Sequence, residues 1–442
     1  MKLIELKNKK ILILGFGEEG RDTFLALHKL FPKKVIGIAD QKEFSIFNFQ
    51  FSNTKRHLGK NYLKSLKNYD VIIKSPGIPR TILKPYLKKN IRVTSQTEIF
   101  FQNCPGTIIG VTGTKGKGTT SSLIYHILKK AGLKTHLVGN IGKPVFLKLL
   151  KAKKDDIFIY ELSSHQLQDL KISPRIAVFL NIYPAHLDYY KNFNEYKRAK
   201  ENIALHQTKN DFFIYNSDQK ILCELAKKTK AKKIPIPANY EFLANIRIPL
   251  IGKFNLKNVM AAMVVAKLLG IKNKDIIKAI KTFKPLAHRL EFTGKYKGIK
   301  FYNDSLATIP QAVEAALEAL GRKVKTLILG GEKVKGFDFS SLAKKILRQK
   351  IKTLIFLDRN PKNPIDTAKQ ISQIFEIRSR KIIPRMFFVS SMKEAVKLAF
   401  QTAKKEEICL LSPGSPSFNL FKNYKERGDL FKKYVKHFGA KL

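Results

Sequence analysis

Cysteine is scarce in this chain of 442 residues. Its three cysteines, Cys104, Cys223 and Cys409, lie far apart and match neither the spacing of a metal site nor that of a disulfide framework. No uncharged apolar run approaches the roughly 18 residues of a transmembrane helix. The first residues also lack the apolar region of a signal peptide. These absences predict a cytoplasmic protein of a reducing compartment, without a membrane segment.

Acidic residues are also few. The chain has 34 Asp and Glu against 84 Lys and Arg, which gives a formal net charge of +50. A nucleic-acid-binding ATPase is one interpretation of such an excess. The positive charge is spread along the chain, however, and no Lys/Arg block is interleaved with aromatic residues. We therefore expect lysine-rich solvated surfaces and a general preference for anionic ligands, without specific nucleic-acid binding.

The chain is too long for a single hydrophobic core, so two or three domains are expected. Strand-like apolar runs alternate with amphipathic helical stretches in three successive regions. We predict an α/β protein of three domains: a Rossmann-like domain at 1–97, a central P-loop-type mononucleotide-binding domain at 98–292, and a Rossmann-like parallel-sheet domain at 293–442.

The most informative segment is a glycine-rich turn at residues 113–118. The apolar run 107–111 leads into Gly-Thr-Lys-Gly-Lys-Gly, and an amphipathic helix follows. A strand, a glycine turn and a helix N-terminus together form the geometry of a phosphate cradle. An ordinary glycine-rich turn is the alternative, and we favour nucleotide phosphate binding because a lysine and hydroxyls begin the helix.

This turn departs from the strict P-loop pattern. Val111 stands where that pattern has glycine, and Gly118 stands where it has serine or threonine. We predict that Lys117 contacts the outer phosphates. Thr119 is the first choice for a hydroxyl that holds Mg²⁺, and Thr120 is the reserve.

A second glycine pattern lies near the start of the chain. Gly15, Gly17 and Gly20 follow an apolar run in G-x-G-x-x-G spacing, and Asp40 ends the next strand 20 residues after Gly20. This arrangement is typical of a Rossmann-like nucleotide site. A dehydrogenase is disfavoured because no acid–base pair accompanies the pattern and the turn at 113–118 would have no role.

Two polar residues follow apolar strands of the central region. Glu161 ends the run 157–160, and His186 follows the run 177–182. Ligands of open α/β sheets collect at the carboxyl ends of strands, so these side chains could hold Mg²⁺ beside the phosphate turn. Taken alone, Glu161 could equally cap a helix and His186 could be structural. Lys200, on a predicted helix, has the features of an ordinary surface lysine.

Three polar, glycine-rich loops follow strands in the last region. They contain Asp304–Ser305, Gly330–Gly336 and Ser412–Phe418. Each loop alone is a common turn. At one end of a parallel sheet they would form a second ligand-binding edge.

These loops, in this order, resemble the Mur ligase family of ATP-dependent amide ligases in peptidoglycan precursor synthesis. The resemblance covers nearly the whole chain. The matching segments are 113–120, 139–142, 161–166, 181–188, 196–200, 252–258, 288–291, 302–308, 330–339 and 411–428. The run Ser417–Gly428 is typical of the branch of the family that adds D-glutamate.

The resemblance implies a two-step reaction. ATP phosphorylates the alanyl carboxylate of UDP-N-acetylmuramoyl-L-alanine, and the amine of D-glutamate then displaces phosphate. Two Mg²⁺ ions are expected. A monomer is also expected, with small-molecule substrates as its only partners.

The resemblance also implies the roles of individual residues. The implied catalytic residues are Lys117, Glu161, His186 and Lys200. The ATP ligands would be Gly113, Thr114, Lys115, Gly116, Lys117, Gly118, Thr119, Thr120, Asn255, Asn258, Arg289 and Asp304. The metal ligands would be Thr119, Glu161, His186 and Lys200, the last as a carbamate formed with CO₂. The substrate ligands would be Gly15, Gly17, Asp40, Asn140, Thr308, Lys335, Ser417 and Tyr424.

The chain departs from the family pattern at two positions. Gly118 lacks the usual hydroxyl, as in the related folylpolyglutamate synthases. Leu306 stands where many D-glutamate ligases carry lysine, while Lys335 retains a cation for a side-chain carboxylate. A Mur-type ligase with another amino acid or acceptor therefore stays open. A folate-type ligase is disfavoured because such members lack a nucleotide-sugar domain at the N-terminus.

Overall fold

The computed structural model describes residues 1–43, 53–140, 145–186, 189–239, 243, 246, 248–252, 254–333, 337–378 and 383–440. The chain forms two compact units. The first unit comprises Met1–Arg247 and Leu256–Phe283, and the second comprises Ile248–Asn255 and Lys284–Leu442.

The first unit begins with a five-stranded parallel sheet. Its strands are β1 (Ile11–Leu14), β2 (Ile36–Asp40), β3 (Thr54–Leu58), β4 (Val71–Lys74) and β5 (Arg92–Thr94), in the order β3-β2-β1-β4-β5. The helices are α1 (Glu18–Leu30) and α2 (Gln96–Asn103), with 3₁₀ turns at Leu3–Leu6, Tyr62–Asn68 and Arg80–Tyr86. All four residues of β1 are buried, as a strand covered on both faces requires.

A second sheet of the same unit has six parallel strands. They are β6 (Thr107–Thr112), β7 (Thr135–Gly139), β8 (Ile157–Glu161), β9 (Ile176–Phe179), β10 (Phe212–Tyr215) and β11 (Lys232–Pro235), in the order β11-β10-β9-β6-β8-β7. The helices are α3 (Lys117–Lys130), α4 (Phe146–Leu149), α5 (Ser164–Leu167), α6 (Phe193–Leu205), α7 (Lys220–Lys228), α8 (Phe254–Leu268) and α9 (Asn273–Lys281).

The second unit contains the third sheet, also of six strands. They are β12 (Glu291–Tyr296), β13 (Ile299–Asn303), β14 (Val324–Leu329), β15 (Thr353–Leu357), β16 (Arg385–Val389) and β17 (Ile408–Leu411), in the order β12-β13-β17-β14-β15-β16. Only the hairpin β12–β13 is antiparallel within this described sheet. The helices are α10 (Pro310–Leu320), α11 (Ser340–Arg348), α12 (Thr367–Arg378), α13 (Met392–Thr402) and α14 (Tyr424–Ala440), with a 3₁₀ turn at Gly321–Lys323.

The predicted α/β fold with parallel sheets is confirmed. The domain boundaries at 97/98 and 292/293 stay predictions, because a compact unit can hold more than one domain. Strand β9 ends at Phe179, earlier than the apolar pattern indicates, because Asn181 turns toward the loop after β6. Among the described residues, no helix is both long and apolar enough to cross a bilayer.

A buried carboxylate joins the first two sheets. Asp22 of α1 accepts hydrogen bonds from the backbone N–H of Phe146 at 2.7 Å and from the side chain of Gln96 at 2.9 Å. Nearby, Gln166 donates to Glu19 at 2.7 Å. Burial raises the pKa of Asp22 and of Glu19, although these hydrogen bonds oppose the shift. The glycine loop before α1 is thereby held in a defined position relative to the loop that follows Glu161.

Candidate active site

The glycine-rich turn between β6 and α3 has the form of a phosphate cradle. Gly116, just before α3, has φ +86°, in the left-handed region. A Cβ atom at this position would collide with the side-chain oxygen of Asn258. Glycine is therefore required both by the backbone conformation and by the close approach of Asn258. The N–H groups and the dipole at the start of α3 favour an anion here.

Asn181, just after β9, holds this turn in place. Its side-chain oxygen accepts from the N–H of Lys115 at 2.8 Å, and its side-chain amide donates to the carbonyl of Lys115 at 2.9 Å. Its own carbonyl accepts from the N–H of Thr114 at 2.9 Å. Asn181 was not predicted as a site residue. It begins the matching segment 181–188, and its place directly after a strand next to a phosphate turn could have identified it.

Two lysines converge on one carbonyl oxygen of the turn. Lys117 Nζ donates to the Gly113 oxygen at 2.9 Å and to the Thr114 oxygen at 3.2 Å. Lys200 Nζ donates to the same Gly113 oxygen at 3.1 Å and to Thr112 Oγ1 at 3.3 Å. The cluster therefore concentrates hydrogen-bond donors, together with the charge of Lys117, at the point where a polyphosphate would bind.

The sequence pattern alone indicates that Lys200 is a surface lysine, but the structure buries it. Its residue exposure is 1%, on a face of α6 that packs into the first unit. Burial moves the pKa of the Lys200 amine well below its ordinary value, and the charge of Lys117 lowers it further, while Glu161 acts in the opposite direction. A buried lysine with a depressed pKa has a neutral, nucleophilic amine available.

Glu161 lies at the carboxyl end of β8, directly beside the phosphate turn. It pairs in register with Val111 of β6 on one side and with Gly139 of β7 on the other. Its exposure is 8%, and its charge acts on Lys200. The structure thus brings together Glu161, Lys117 and Lys200, which were predicted as catalytic residues from separate parts of the sequence.

Tyr196 links His186 to this cluster. The ring of His186 lies 6.1 Å from the Tyr196 ring, and the Tyr196 hydroxyl is 3.0 Å from Thr114 Oγ1. The Lys200 ammonium lies 5.1 Å from the centre of the Tyr196 ring. Tyr196 and Lys200 are four residues apart on α6 and therefore share a face. Tyr196 was not selected from the sequence, although this spacing was visible there.

Thr119 and Thr120 are both buried in the first turn of α3. The Thr120 hydroxyl donates to the side-chain oxygen of Asn258 at 3.3 Å. Since Thr120 serves Asn258 in this way, Thr119 remains the preferred hydroxyl for a metal ion. This preference stays a prediction.

The donor set suits Mg²⁺ when a substrate supplies further oxygens. Among the described residues, no group of three or more His, Cys, Asp and Glu side chains could hold a metal ion. Mg²⁺ is commonly bound through one or two carboxylates together with substrate phosphates and water. Glu161, at a strand end beside a phosphate turn, fits that pattern without a complete protein cage.

The glycine loop of the first sheet is held by Asp40. Its carboxylate accepts from the N–H of Phe16 at 2.7 Å and from the N–H of Lys42 at 2.8 Å. Gly15 has φ +89°, and a Cβ atom there would lie 2.7 Å from Ser75 Oγ. At Gly17, by contrast, no atom lies within 4 Å of a built Cβ. The predicted substrate contacts of Gly15, Gly17 and Asp40 stay predictions.

Asn140 follows β7 and belongs to the same edge as Glu161. Its N–H donates to the Glu161 carbonyl at 3.3 Å, and its residue is exposed. This position is compatible with the predicted contact to the muramoyl substrate. The matching segment 139–142 extends beyond the described residues at 141.

The predicted binding edge of the second unit lies around Asp304, after β13. Leu290 N–H donates to one carboxylate oxygen at 3.2 Å, and Ser412 Oγ donates to the other at 3.0 Å. Burial raises the pKa of Asp304 to about 7, although these two hydrogen bonds and the charge of Arg289 oppose the shift. The predicted pair Arg289 and Asp304 is therefore adjacent.

Backbone hydrogen bonds connect the three predicted loops of this edge. Gly414 N–H donates to the Ala307 carbonyl at 2.8 Å, and Gly330 N–H donates to the Pro413 carbonyl at 2.9 Å. Glu332 N–H donates to the Pro416 carbonyl, also at 2.9 Å. The loops after β13, β14 and β17 consequently form one connected edge, as the sequence pattern predicts.

The predicted amino-acid ligands have different positions in the structure. Ser417 is 2% exposed, and the Tyr424 carbonyl accepts from Ser305 Oγ at 2.8 Å, so both lie in or beside the connected edge. Thr308 is half-buried in the loop after β13. Lys335 lies outside the described residues. Asn255 donates to the Ile251 carbonyl at 2.7 Å within the same unit.

Arg427 also belongs to the connected edge, although it was not predicted as a site residue. It is fully buried, and its guanidinium donates to Ser305 Oγ at 3.1 Å, to the Ser305 carbonyl at 2.8 Å and to the Ser415 carbonyl at 3.1 Å. Burial lowers its pKa to about 9, which leaves it protonated at neutral pH. Arg427 therefore cross-links the loops after β13 and β17.

Family models and sequence relatives match most of the chain. The model of the Mur ligase middle domain matches residues 111–245, and that of the Mur ligase glutamate ligase domain matches residues 288–414. The UDP-N-acetylmuramoylalanine--D-glutamate ligase of Thermoanaerobacter sp. (strain X514) is 33% identical over 98% of this chain and 99% of its own length. The enzyme of the same name from Clostridium acetobutylicum is 35% identical over 97% of each chain.

Solved structures show the same fold at lower sequence identity. The MurF ligase of Thermotoga maritima in complex with ADP has a TM-score of 0.61 at 16% identity and covers 99% of this chain, with 97% of its own chain matched. The UDP-N-acetylmuramate-alanine ligase of the same organism has a TM-score of 0.61 at 14% identity, covering 98% of this chain and 100% of its own. At these identities, the likeness concerns the fold.

Proposed function

Because this chain belongs to the Mur ligase family, we propose that it uses ATP to join D-glutamate to UDP-N-acetylmuramoyl-L-alanine in peptidoglycan precursor synthesis. The observation that carries the proposal is the 33–35% identity, over essentially the full length, to enzymes named for that reaction. We also propose that the enzyme acts in the cytoplasm, as a monomer.

The proposed reaction has two steps, formation of an acyl phosphate and then formation of the amide. First, the alanyl carboxylate attacks the γ-phosphorus of ATP, the bond from that phosphorus to the β-bridging oxygen breaks, and ADP leaves. Second, the neutral amine of D-glutamate attacks the carbonyl carbon of the acyl phosphate. The tetrahedral intermediate then expels phosphate, and the nitrogen loses a proton as the amide forms. Stabilising the charge on the transferred phosphoryl group is the main demand on the protein.

The first unit carries the groups suited to the first step. The N–H groups at the start of α3 would bind the phosphates of ATP. Lys117 would exchange its hydrogen bonds with the Gly113 and Thr114 carbonyls for contacts with the outer phosphate. Asn258 packs against Gly116 and accepts a hydrogen bond from Thr120, and it would lie near the base end of the nucleotide.

Glu161 and the Thr119 hydroxyl would hold one Mg²⁺, and His186 would help to hold a second, with phosphate oxygens as further ligands. When bound, the ions would polarise the phosphoryl oxygens and neutralise the charge that develops on them. The two ions implied by the family resemblance are part of this proposal. The protein contributes the strand-end position of Glu161 and the hydrogen-bonded turn beside it.

We assign Lys200 the carbamate implied by the resemblance. A lysine must lose its proton before its nitrogen can form a bond with CO₂, and the depressed pKa of Lys200 favours that neutral form. The product replaces a cation by an anionic oxygen donor next to Lys117, which removes the repulsion between two ammonium groups. It would also supply the extra oxygen ligand that the protein side chains lack.

The second unit would bind the incoming amino acid and assist with ATP. Ser417, Thr308 and Tyr424 are the proposed amino-acid ligands, with Lys335 for the side-chain carboxylate. Arg289 and Asp304 are the proposed ATP ligands of this unit. The hydrogen-bonded position of Asp304 at this edge and the action of the Arg289 charge on it support the assignment.

The decisive experiment is identification of the product by mass spectrometry and chiral analysis. The enzyme would be incubated with ATP, Mg²⁺, UDP-N-acetylmuramoyl-L-alanine and racemic glutamate. The expected product contains one D-glutamate per acceptor, formed with one ADP. Phosphate release without amide formation, or incorporation of L-glutamate, would contradict the proposal.

A second candidate is a Mur-type ligase with another amino acid or acceptor. Leu306, half-buried in the loop after Asp304, favours it, because an aliphatic side chain removes a cation from this edge. A panel of D- and L-amino acids and nucleotide acceptors would separate the two. The first candidate requires D-glutamate to give the highest kcat/KM.

A further inference from the structure

A fourth loop, which contains no predicted site residue, holds the binding edge of the second unit. It follows β15 and runs from Asp358 to Thr367. Asp366 and Thr367, together called the brace below, are both fully buried. They lie at the start of α12 and contact the loops after β14 and β17.

Asp366 does not serve the usual purpose of an aspartate before a helix, which is to accept the first N–H groups of that helix. Its carboxylate accepts three hydrogen bonds from Arg359, from the backbone N–H at 3.2 Å, Nε at 3.1 Å and Nη2 at 2.8 Å. It accepts a fourth from Asn419 Nδ2 at 3.1 Å. Burial alone would raise the pKa of Asp366, but the bonds from Arg359 and Asn419 outweigh it, so that the carboxyl is ionised.

Thr367 contacts the neighbouring loop. Its N–H donates to the Gly331 carbonyl at 3.2 Å, and its hydroxyl donates to the Glu332 carbonyl at 2.8 Å. The brace therefore contacts the loop after β14 through Thr367 and the segment after Ser417 through Asp366. These are two of the three loops that form the connected edge.

The loop of the brace is itself rigidly built. Asp358, fully buried at the end of β15, accepts from the N–H of Asn360 at 2.9 Å, of Ile365 at 3.3 Å and of Asp366 at 3.0 Å. A second aspartate thus fixes the backbone from which Asp366 projects. These three hydrogen bonds lie within the loop after β15 and hold the backbone at Asp366 in place.

We propose that Asp366 and Thr367 are positioning residues that hold the amino-acid subsite at its productive width. The inference rests on the function proposed above and deepens it. Both residues act through other residues. Asp366 holds Asn419, two positions after Ser417, and Thr367 holds the carbonyl of Glu332, so that the distance between these two loops is fixed. Losing a brace contact widens the subsite and weakens amino-acid binding, while the ligands of ATP and of the UDP-linked acceptor are unchanged.

The test compares Asp366→Asn, Thr367→Val and Asn419→Ala with the wild-type chain. Each variant is expected to raise the KM for D-glutamate about tenfold, or ~1.4 kcal/mol. The KM values for ATP and for the acceptor should stay within about twofold. Asp366→Asn combined with Asn419→Ala should be no worse than either alone, since both remove the same contact.

Glu407→Gln is the matched control. Glu407 is a mostly buried carboxylate of the same unit, paired with Lys352 at 2.6 Å just before β17. Its loss should lower the thermal midpoint without changing the KM for D-glutamate. An unchanged amino-acid KM in both Asp366→Asn and Thr367→Val would overturn the proposal. A parallel rise of all three KM values, or full additivity in the double variant, would also overturn it.

Hydrogen exchange separates this proposal from the proposed function. The amides of Gly330, Glu332 and Leu420 are hydrogen-bonded within the braced loops. They should exchange at least about tenfold faster in Asp366→Asn than in Glu407→Gln. Equal exchange would refute the brace whatever the activity. If the wild-type chain formed no amide with D-glutamate, the proposed function would fail, and this readout would still decide the brace.

Discussion

Each unit of the molecule buries a cation whose hydrogen bonds go to neutral oxygens. In the first unit, Lys200 donates to Gly113 and Thr112 at the phosphate turn. In the second, Arg427 donates to the carbonyls of Ser305 and Ser415 and to a serine hydroxyl. Burial lowers the pKa of both groups, by desolvation of the charged form.

The same burial has different chemical consequences. A guanidinium whose pKa falls to about 9 still carries its charge at neutral pH, so Arg427 stays a fixed cross-link. A lysine amine has an ordinary pKa nearer neutrality, and burial moves the pKa of Lys200 well below that value. Arginine therefore suits a cross-link of constant charge, whereas lysine suits the change of charge that the proposed carbamate requires.

The largest expected effect comes from the charge cluster of the first unit. Lys117→Ala and Glu161→Ala should each reduce turnover by roughly 10³-fold or more, because both groups stabilise transferred charge. Amide formation measured by mass spectrometry, with circular dichroism to verify the fold, tests this. Lys130→Ala, on the exposed end of α3, is the control and should retain activity. Full activity in Lys117→Ala or in Glu161→Ala would contradict the catalytic role proposed for this cluster.

The contrast between the two cations can be tested by substituting arginine for lysine. Lys200→Arg keeps the charge but cannot form a carbamate, and we expect a loss of at least about 10²-fold. Lys200→Ala should lose as much, and short-chain carboxylic acids should partly restore it. Steady-state rates with and without added acid provide the measurement. Arg198→Ala, exposed on the same helix, should behave like wild type. An active Lys200→Arg enzyme would exclude the carbamate.

The reciprocal change should affect stability more than chemistry. Arg427→Lys replaces a planar fork by a point charge that cannot reach Ser305 and Ser415 together. We expect a loss of about 3 kcal/mol in the free energy of unfolding. This loss is measured by thermal unfolding of Arg427→Lys, with the exposed Lys433→Ala variant as the control. A stability equal to the control would mean that the cross-link contributes nothing.

The smallest expected effect concerns Asp304. Its pKa is raised to about 7 in the folded state, so between pH 5 and pH 7 the folded chain binds more protons than the unfolded chain. Stability from this group is therefore present at low pH and is lost as pH rises through 7. Between pH 5 and pH 8 the loss amounts to about 2 kcal/mol. Asp304→Asn should remove this slope in unfolding experiments without ligands. An unchanged slope would show that Asp304 is ionised.

Local sequence patterns predicted those parts of the site that are formed by residues close together in the sequence. The turn with Gly116 and Lys117 was visible because glycine spacing, lysine and helix start are contiguous in sequence. Glu161 was visible because strand ends collect ligands. The three sheets followed from alternating apolar runs and helical stretches, although β9 ended early where Asn181 turned to the phosphate loop.

Long-range contacts were not predictable in the same way. Nothing in the helical pattern around Lys200 indicates that it is buried against Gly113, a contact that spans 87 positions. Arg427 and Ser305 are 122 positions apart, and Asp366 and Asn419 are 53 apart. Burial of a charged side chain depends on which elements pack together, so composition and periodicity place such residues on the surface by default.

The hydrogen bonds of Lys117 also bear on how the reaction cycle ends. Its ammonium donates to the carbonyls of Gly113 and Thr114, and in the proposed reaction a nucleotide would have to displace it from both. The γ-phosphate of ATP would replace these two acceptors. Once that phosphate had moved to the acyl group and departed, the side chain would return to its two carbonyls. The resting contact would therefore favour release of ADP and prepare the turn for another ATP.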